Sequence, residues 1–173
     1  MPATADRTTT ESSPAITAAV FEDFYRAHHR EVYAAMWLVT RNRHEAEEIT
    51  QDAFLRLLER WDRISVMEDA TGYLFRTAMN VWRSRRRRAA VALRRMMRSP
   101  EQTSDLEEAE SRADVIRLLS SLSERQRAAL VLVDLIGLSS QDAAAALGLR
   151  PSTVRVQAAR ARAALREGIA RHD

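Results

Sequence analysis

From Leu122 the chain reads LSERQRAALVLVDLIGLSSQDAAAALGLRPSTVRVQAARARAALREG. Two short helical periodicities flank the break Gly148-Leu149-Arg150-Pro151. Glycine suits a left-handed helix end, and proline suits the first turn of the next helix. The second helix carries arginines and no acid before Glu167. This is the sequence form of a helix-turn-helix, whose second helix fits a DNA major groove.

The rest of the chain is compatible with that motif. Gly and Pro number four each among 173 residues, and β-branched residues never alternate in a strand-like run. An all-α fold follows, of two small helical domains joined by a linker. The expected limits are a disordered leader at 1–17, a first bundle at 18–95, a linker at 96–110 and a C-terminal domain at 111–173. There is no cysteine, so disulfide frameworks and thiolate metal sites are excluded. His28, His29, His44 and His172 lack metal-ligand spacing and read as surface polar residues. No apolar run approaches the ~18 residues of a membrane span, and the polar start lacks a signal peptide's regions. A cytoplasmic protein is expected.

Every basic side chain is arginine, and the formal net charge is only +3. Its distribution is uneven. Residues 22–69 hold eleven acids and seven arginines, and 71–100 hold nine arginines and no acid. Residues 101–114 then hold six acids and one arginine. A basic block continuing an apolar helix suits a nucleic-acid surface.

Apolar spacing predicts a first helix through Phe21, Phe24, Tyr25, His28, Val32 and Met36, stopping near Asn42. A second helix buries Ala46, Ile49, Ala53, Leu57 and Trp61 and shows Glu47, Glu48, Gln51, Asp52, Leu55 and Glu59. A loop, Asp62 to Ala70, precedes a third helix. On a helical projection Leu74, Ala78 and Val81 face the bundle. Arg76, Asn80, Arg83 and Arg87 line the opposite side, flanked by Tyr73, Phe75, Met79 and Trp82. These arginines suit phosphates, and aromatics can stack unpaired bases. Phe75 and Trp82 fit the core equally well. Later helices are expected near 105–121, from Ser123 to Gly137 with a Ser123/Gln126 capping box, from Ser139 to Gly148, and from Ser152 to Ala170. On the last, Val154, Ala158, Ala161 and Leu165 point inward. Ser152, Arg155, Val156, Ala159 and Arg160 point outward, and arginine to guanine is the commonest base contact.

Three segments carry a family resemblance. HEAEEITQDAFLRLLERW resembles the core-binding segment of bacterial sigma factors of the extracytoplasmic-function group, D-A-E-D-L-V-Q-E-A-F-L-R-x-W. GYLFRTAMNVWRSRRRR resembles the following W-L-Y-R-I-A-x-N and basic helix. The stretch from Leu118 to Leu165 resembles the C-terminal domain, with L-P-x-x-x-R, G-L-S-x-x-E-I-A and G-T-V-x-S-R-x-x-R-A-R. The resemblance covers about 20–170.

It implies a non-enzymatic subunit with no cofactor, no catalytic residue and no metal. It implies docking to core RNA polymerase, on the β′ coiled coil and the β subunit, through Glu48, Gln51, Asp52 and Leu55. It implies capture of the promoter −10 element by Tyr73, Arg76, Asn80, Arg83 and Arg87 with the loop 62–70. It implies reading of the −35 element by Ser152, Thr153, Arg155, Val156, Ala159 and Arg160. The acidic linker (Glu101, Asp105, Glu107, Glu108, Glu110) would thread the polymerase, and an anti-sigma factor is a further implied partner. Such a protein is cytoplasmic and joins the nucleoid with polymerase. Departures are Tyr73 for Trp, Thr77 for an apolar residue, and Gln141-Asp142-Ala143 for E-E-I. Val156 and Ala159 replace polar or aromatic readers. The competing reading is a dimeric helix-turn-helix regulator of duplex operators. An enzyme lacks support, since no carboxylate cluster lies beside the basic surface and there is no metal set, Gly-rich phosphate loop or nucleophile-base pair.

Overall fold

The computed structural model describes residues 14–96 and 118–170, with side chains from residue 18 to 91 in the first span. The described residues are helices and short turns. The acidic linker and most of the helix expected near 105–121 lie outside them.

Helix α1 (Pro14–Thr40) begins inside the expected leader. It buries Val32, Ala35, Met36 and Val39, one stripe at helical spacing. Arg41 ends it in a left-handed conformation, φ 58°, with its N–H bonded to Trp37 O. Asn42 then starts α2 (Arg43–Leu58) by accepting the Glu45 N–H at 2.8 Å. The first helix thus stops near Asn42 as expected, and Asn42 itself caps the next helix, one residue past the reversal. Helix α2 buries Ala46, Ile49, Ala53 and Leu57 as expected, together with Thr50 and Phe54. Thr50 satisfies its hydroxyl on Ala46 O.

The expected loop 62–70 is partly helical. A single turn, α3 (Trp61–Ile64), carries Trp61 into the core, where it meets the rings of Phe21 and Phe24. Helix α4 (Ala70–Met96) opens with the Gly72 N–H on the Asp69 carboxylate at 2.7 Å. His28 and His29 are half-buried rather than surface residues. His28 packs on Phe24 and lies 3.3 Å from the Thr71 hydroxyl, and His29 packs on Tyr25 and Phe54.

In the C-terminal span, Ser123 and Gln126 form a reciprocal capping box on α5 (Glu124–Leu130). The helix then widens into a π turn, Val131–Leu135, with Ile136 N–H bonded to Val131 O. Gly137 turns the chain at φ 77°. Ser139 caps α6 (Ser140–Leu147), and Gly148 ends it in the left-handed region at φ 62°. Pro151 starts α7 (Pro151–Ile169), in which Val154, Ala158 and Ala161 are buried and Leu165 is only half-buried.

The two sets of helices share one continuous core. It runs from Val32 and Ile49 through Leu74, Phe75, Met79 and Trp82 to Ala129, Leu132, Ala143, Leu147 and Val154. Helix α4 is thus buried on two sides, by α2 and by α6. Phe75 and Trp82 are core residues, and burial of rings this size supplies ~1.5–3 kcal/mol each. Arg127 pins the seam. Its guanidinium is buried and donates to Val39 O at 3.0 Å, Leu119 O at 3.3 Å and Leu122 O at 3.4 Å. Burial, aided by the positive charges of Arg41 and Arg86, lowers its pKa to about 10.

Candidate nucleic-acid and polymerase interfaces

The face of α2 assigned to docking divides in two. Gln51 is exposed, and Leu55 is 58% exposed with Leu58 close behind at 49%. Glu48 and Asp52 instead turn toward α4, where Arg85 grips both, at 2.5 and 2.8 Å. These bonds, Asp52 first, raise the Arg85 pKa. Projection of α4 puts Arg85 on its bundle side, at the end of the apolar stripe. Its sequence signal was hidden in the run Arg85 to Arg88. What α2 leaves to solvent is a small apolar patch with one amide, flanked by acids.

The stripe assigned to the −10 element is less open than projection suggested. Asn80 and Arg87 are exposed, whereas Tyr73, Arg76 and Arg83 are half-buried. Arg76 lies 3.1 Å from Asp69 and 3.5 Å from Asp142 of α6. Arg83 donates to Asn80 Oδ1 and, at 3.0 Å, to Ala146 O at the carboxyl end of α6. That helix end carries partial negative charge and suits a cation. Arg86, over the Trp82 ring, pairs with Glu124. Projection of one helix places residues around an axis, but it is silent about a second domain resting on the outer side. Asp142, Glu124 and the α6 carbonyls occupy the arginines that phosphate would otherwise take.

Val66 at 83% and Met67 at 43% exposure project from the turn before α4. Apolar side chains held in water beside a basic helix suit contact with an unstacked base. Thr77, a departure from the family pattern, satisfies its hydroxyl on Tyr73 O at 2.8 Å.

The outward face of α7 is largely exposed. Ser152, Arg155, Val156, Ala159 and Arg160 are exposed, and Thr153 is half-buried. Among the described residues, Arg155 and Arg160 make no ion pair. Arg150 precedes the helix without a side-chain cap, which leaves the first-turn N–H groups available to a phosphate. Small residues between the arginines permit close approach to a groove floor. Arg162, one turn further, is paired bidentately with Asp134 at 2.6 and 2.7 Å. Among the described residues, no cluster of His, Asp and Glu could hold a metal, and no helix is long and apolar enough to cross a membrane.

Comparisons with known proteins agree with this arrangement. Residues 24–92 match the model of sigma-70 region 2, and 112–165 match that of sigma-70 region 4. ECF RNA polymerase sigma factor SigE of Mycolicibacterium smegmatis is 31% identical over 88% of this chain, which spans 63% of that relative. ECF RNA polymerase sigma factor SigM of Mycobacterium tuberculosis is 32% identical over 84% of this chain and 74% of its own length. The fold is also that of RpoE in complex with the anti-sigma factor NepR from Bartonella quintana, with TM-score 0.69 and 21% identity. That match covers 87% of this chain and 96% of the other. CnrH in complex with the cytosolic domain of CnrY gives TM-score 0.61 at 24% identity, covering 90% and 91%. The chain therefore belongs to the sigma-70 family of RNA polymerase sigma factors, in the extracytoplasmic-function (ECF) group.

Proposed function

We propose that this sigma factor binds core RNA polymerase through α2 and directs promoter-specific initiation with two DNA surfaces of different kinds. The observation that carries the reading is the combination of an arginine-lined α4, beside exposed Val66 and Met67, with an α7 whose outward Arg155 and Arg160 are exposed and make no ion pair among the described residues. The first surface suits strand capture, and the second suits duplex reading.

Residues 18–95 form the unit that docks and opens DNA, and residues 111–173 form the unit that reads the −35 element. Docking uses Gln51 and Leu55 directly, with Glu48 and Asp52 held beside them by Arg85. Arg155 and Arg160 reach base edges or phosphates in the −35 groove, with Ser152, Thr153, Val156 and Ala159 setting the approach. Capture of the −10 strand uses Tyr73, Arg76, Asn80, Arg83 and Arg87. Arg76 and Arg83 must first leave Asp142 and Ala146 O. Strand opening then proceeds without a chemical step by this chain, since captured bases offset a few kcal/mol of unstacking. An anti-sigma factor is the expected inhibitory partner, as NepR is for its sigma factor. The site of action is the cytoplasm, where polymerase works.

The test is reconstitution. Purified chain added to core polymerase should give a stable complex and transcripts from a restricted set of promoters. Absence of both core binding and promoter-dependent transcripts would overturn the reading. Palindromic duplex binding by a dimer, without polymerase, would favour an operator-binding regulator instead.

A further inference from the structure

Arg162 lies three residues beyond Ala159 and seven beyond Arg155, on the same side of α7. It therefore belongs by position to the basic face assigned to the −35 duplex. Unlike Arg155 and Arg160, it is not free. Its Nε donates to one carboxylate oxygen of Asp134 at 2.7 Å and its Nη2 to the other at 2.6 Å. This is the two-pronged match of a planar guanidinium with a carboxylate, and the same fork would fit a phosphate. The pairing raises the Arg162 pKa, its hydrogen bond to Asp134 being the main cause.

Asp134 owes its position to the π turn Val131–Leu135. A π turn costs backbone regularity and is frequent at functional sites. The pair it creates is partly exposed, at 47% for the Arg162 side chain and 34% for that of Asp134. Bidentate geometry gives this pair some stabilising value, and its place on the basic face gives it a second consequence. A carboxylate at the rim of a DNA-reading face also repels the backbone unless a cation neutralises it.

We propose that Asp134 is a positioning residue for duplex reading: by holding both prongs of Arg162 it keeps that cation off the phosphate backbone. Base contacts by Arg155 and Arg160 then carry a larger share of the affinity, and promoter sites stand out from other DNA. The inference rests on the assignment of α7 to the −35 duplex.

The test uses the full chain and two duplexes: one of mixed sequence, and one selected for binding by the natural chain. Asp134→Ala should bind the mixed duplex several-fold more tightly. Its plot of log affinity against log salt should steepen by about 0.9, the slope of one added phosphate contact. Its preference for the selected duplex should fall. Asp134→Ala with Arg162→Ala should restore the original slope, and Asp134→Asn with Arg162→Gln, which removes both charges together, should leave mixed-duplex binding and its slope unchanged. A purely structural pair would instead lower affinity for both duplexes and leave the slope alone, which overturns the proposal. So would loss of slope in Asp134→Asn with Arg162→Gln, because Arg162 would then already hold a phosphate. Should Asp134→Ala melt early, the measurement on Asp134→Asn with Arg162→Gln still decides. If Arg155→Ala with Arg160→Ala leaves selected-duplex binding intact, the assignment of α7 fails separately.

Discussion

Replacement of Arg127 by methionine removes the buried cation that fastens the C-terminal helices to the end of α1. The three carbonyls it serves, Val39 O, Leu119 O and Leu122 O, lie at the seam between the two units. Methionine fills much of the same volume but donates nothing. Hydrogen bonds to a charged group are worth ~1.5–3 kcal/mol each, and a buried acceptor left without a partner costs ~1–3 kcal/mol. Part of that sum is offset, because the cation's own desolvation cost disappears; the lowered pKa of Arg127 reports that cost. A net loss of ~3–5 kcal/mol results. At ~2–4 °C per kcal/mol for a chain of this size, the melting temperature falls by about 6–20 °C. Differential scanning calorimetry of the full chain is the assay. The loss should be accompanied by separation of one transition into two, as the C-terminal helices lose their anchor first. A drop under ~2 °C with a single unchanged transition would refute the assignment of Arg127 as the interdomain fastener.

Other perturbations test other parts of the account. Gly148→Ala forces a side chain into the left-handed region, at ~1–2 kcal/mol, and its Cβ would overlap the Arg83 guanidinium. Thermal unfolding should show the loss, and relief of it in a Gly148→Ala, Arg83→Ala double variant would show that crowding contributes. Burial raises the Glu45 pKa, so the folded chain holds that proton more tightly than the unfolded chain does. Its unfavourable contribution is full at neutral pH and is relieved as pH falls through the raised value toward 4.5. Glu45→Gln should therefore stabilise the chain near pH 7 and flatten that part of the stability profile, as urea titrations would show. Leu55→Arg should weaken core polymerase binding at least tenfold with an unchanged melting temperature, because Leu55 is exposed in the free chain. Equal affinity in a pull-down or anisotropy titration would remove α2 from the docking surface.

Much of this was legible before any coordinates. The helical stripes of α1, α2 and α7 follow from apolar spacing, and the Ser123/Gln126 box and Gly148 mark the start of α5 and the end of α6 as local rules require. The outward positions Ser152, Arg155, Val156, Ala159 and Arg160 of α7 are legible in the same way, and all five are exposed. What was not legible depends on long-range packing. Phe75 and Trp82 sit at the edge of the α4 stripe, where packing of the whole chain into one core decides that they are buried. Helix α6 covers Arg76 and Arg83, which a projection of α4 alone leaves in solvent. Arg85 and Arg127 look like other arginines in basic stretches, yet one grips two carboxylates and the other is buried among carbonyls. The π turn adds no residue type that periodicity could register, so Asp134 and its partner Arg162 stayed hidden.

Division of labour between α4 and α7 is the central claim, and promoter opening by the reconstituted holoenzyme tests it most directly. Opening can be followed by the fluorescence of 2-aminopurine placed in the −10 element, with promoter occupancy measured in parallel. Asn80→Ala with Arg83→Ala should leave the promoter occupied but closed, with little rise in fluorescence. Arg155→Ala with Arg160→Ala should lose occupancy, and opening should recover when the DNA is supplied with its −10 region already unpaired. If both double variants lose occupancy and opening in the same proportion, the two helices do not act on separate promoter elements and the account is contradicted.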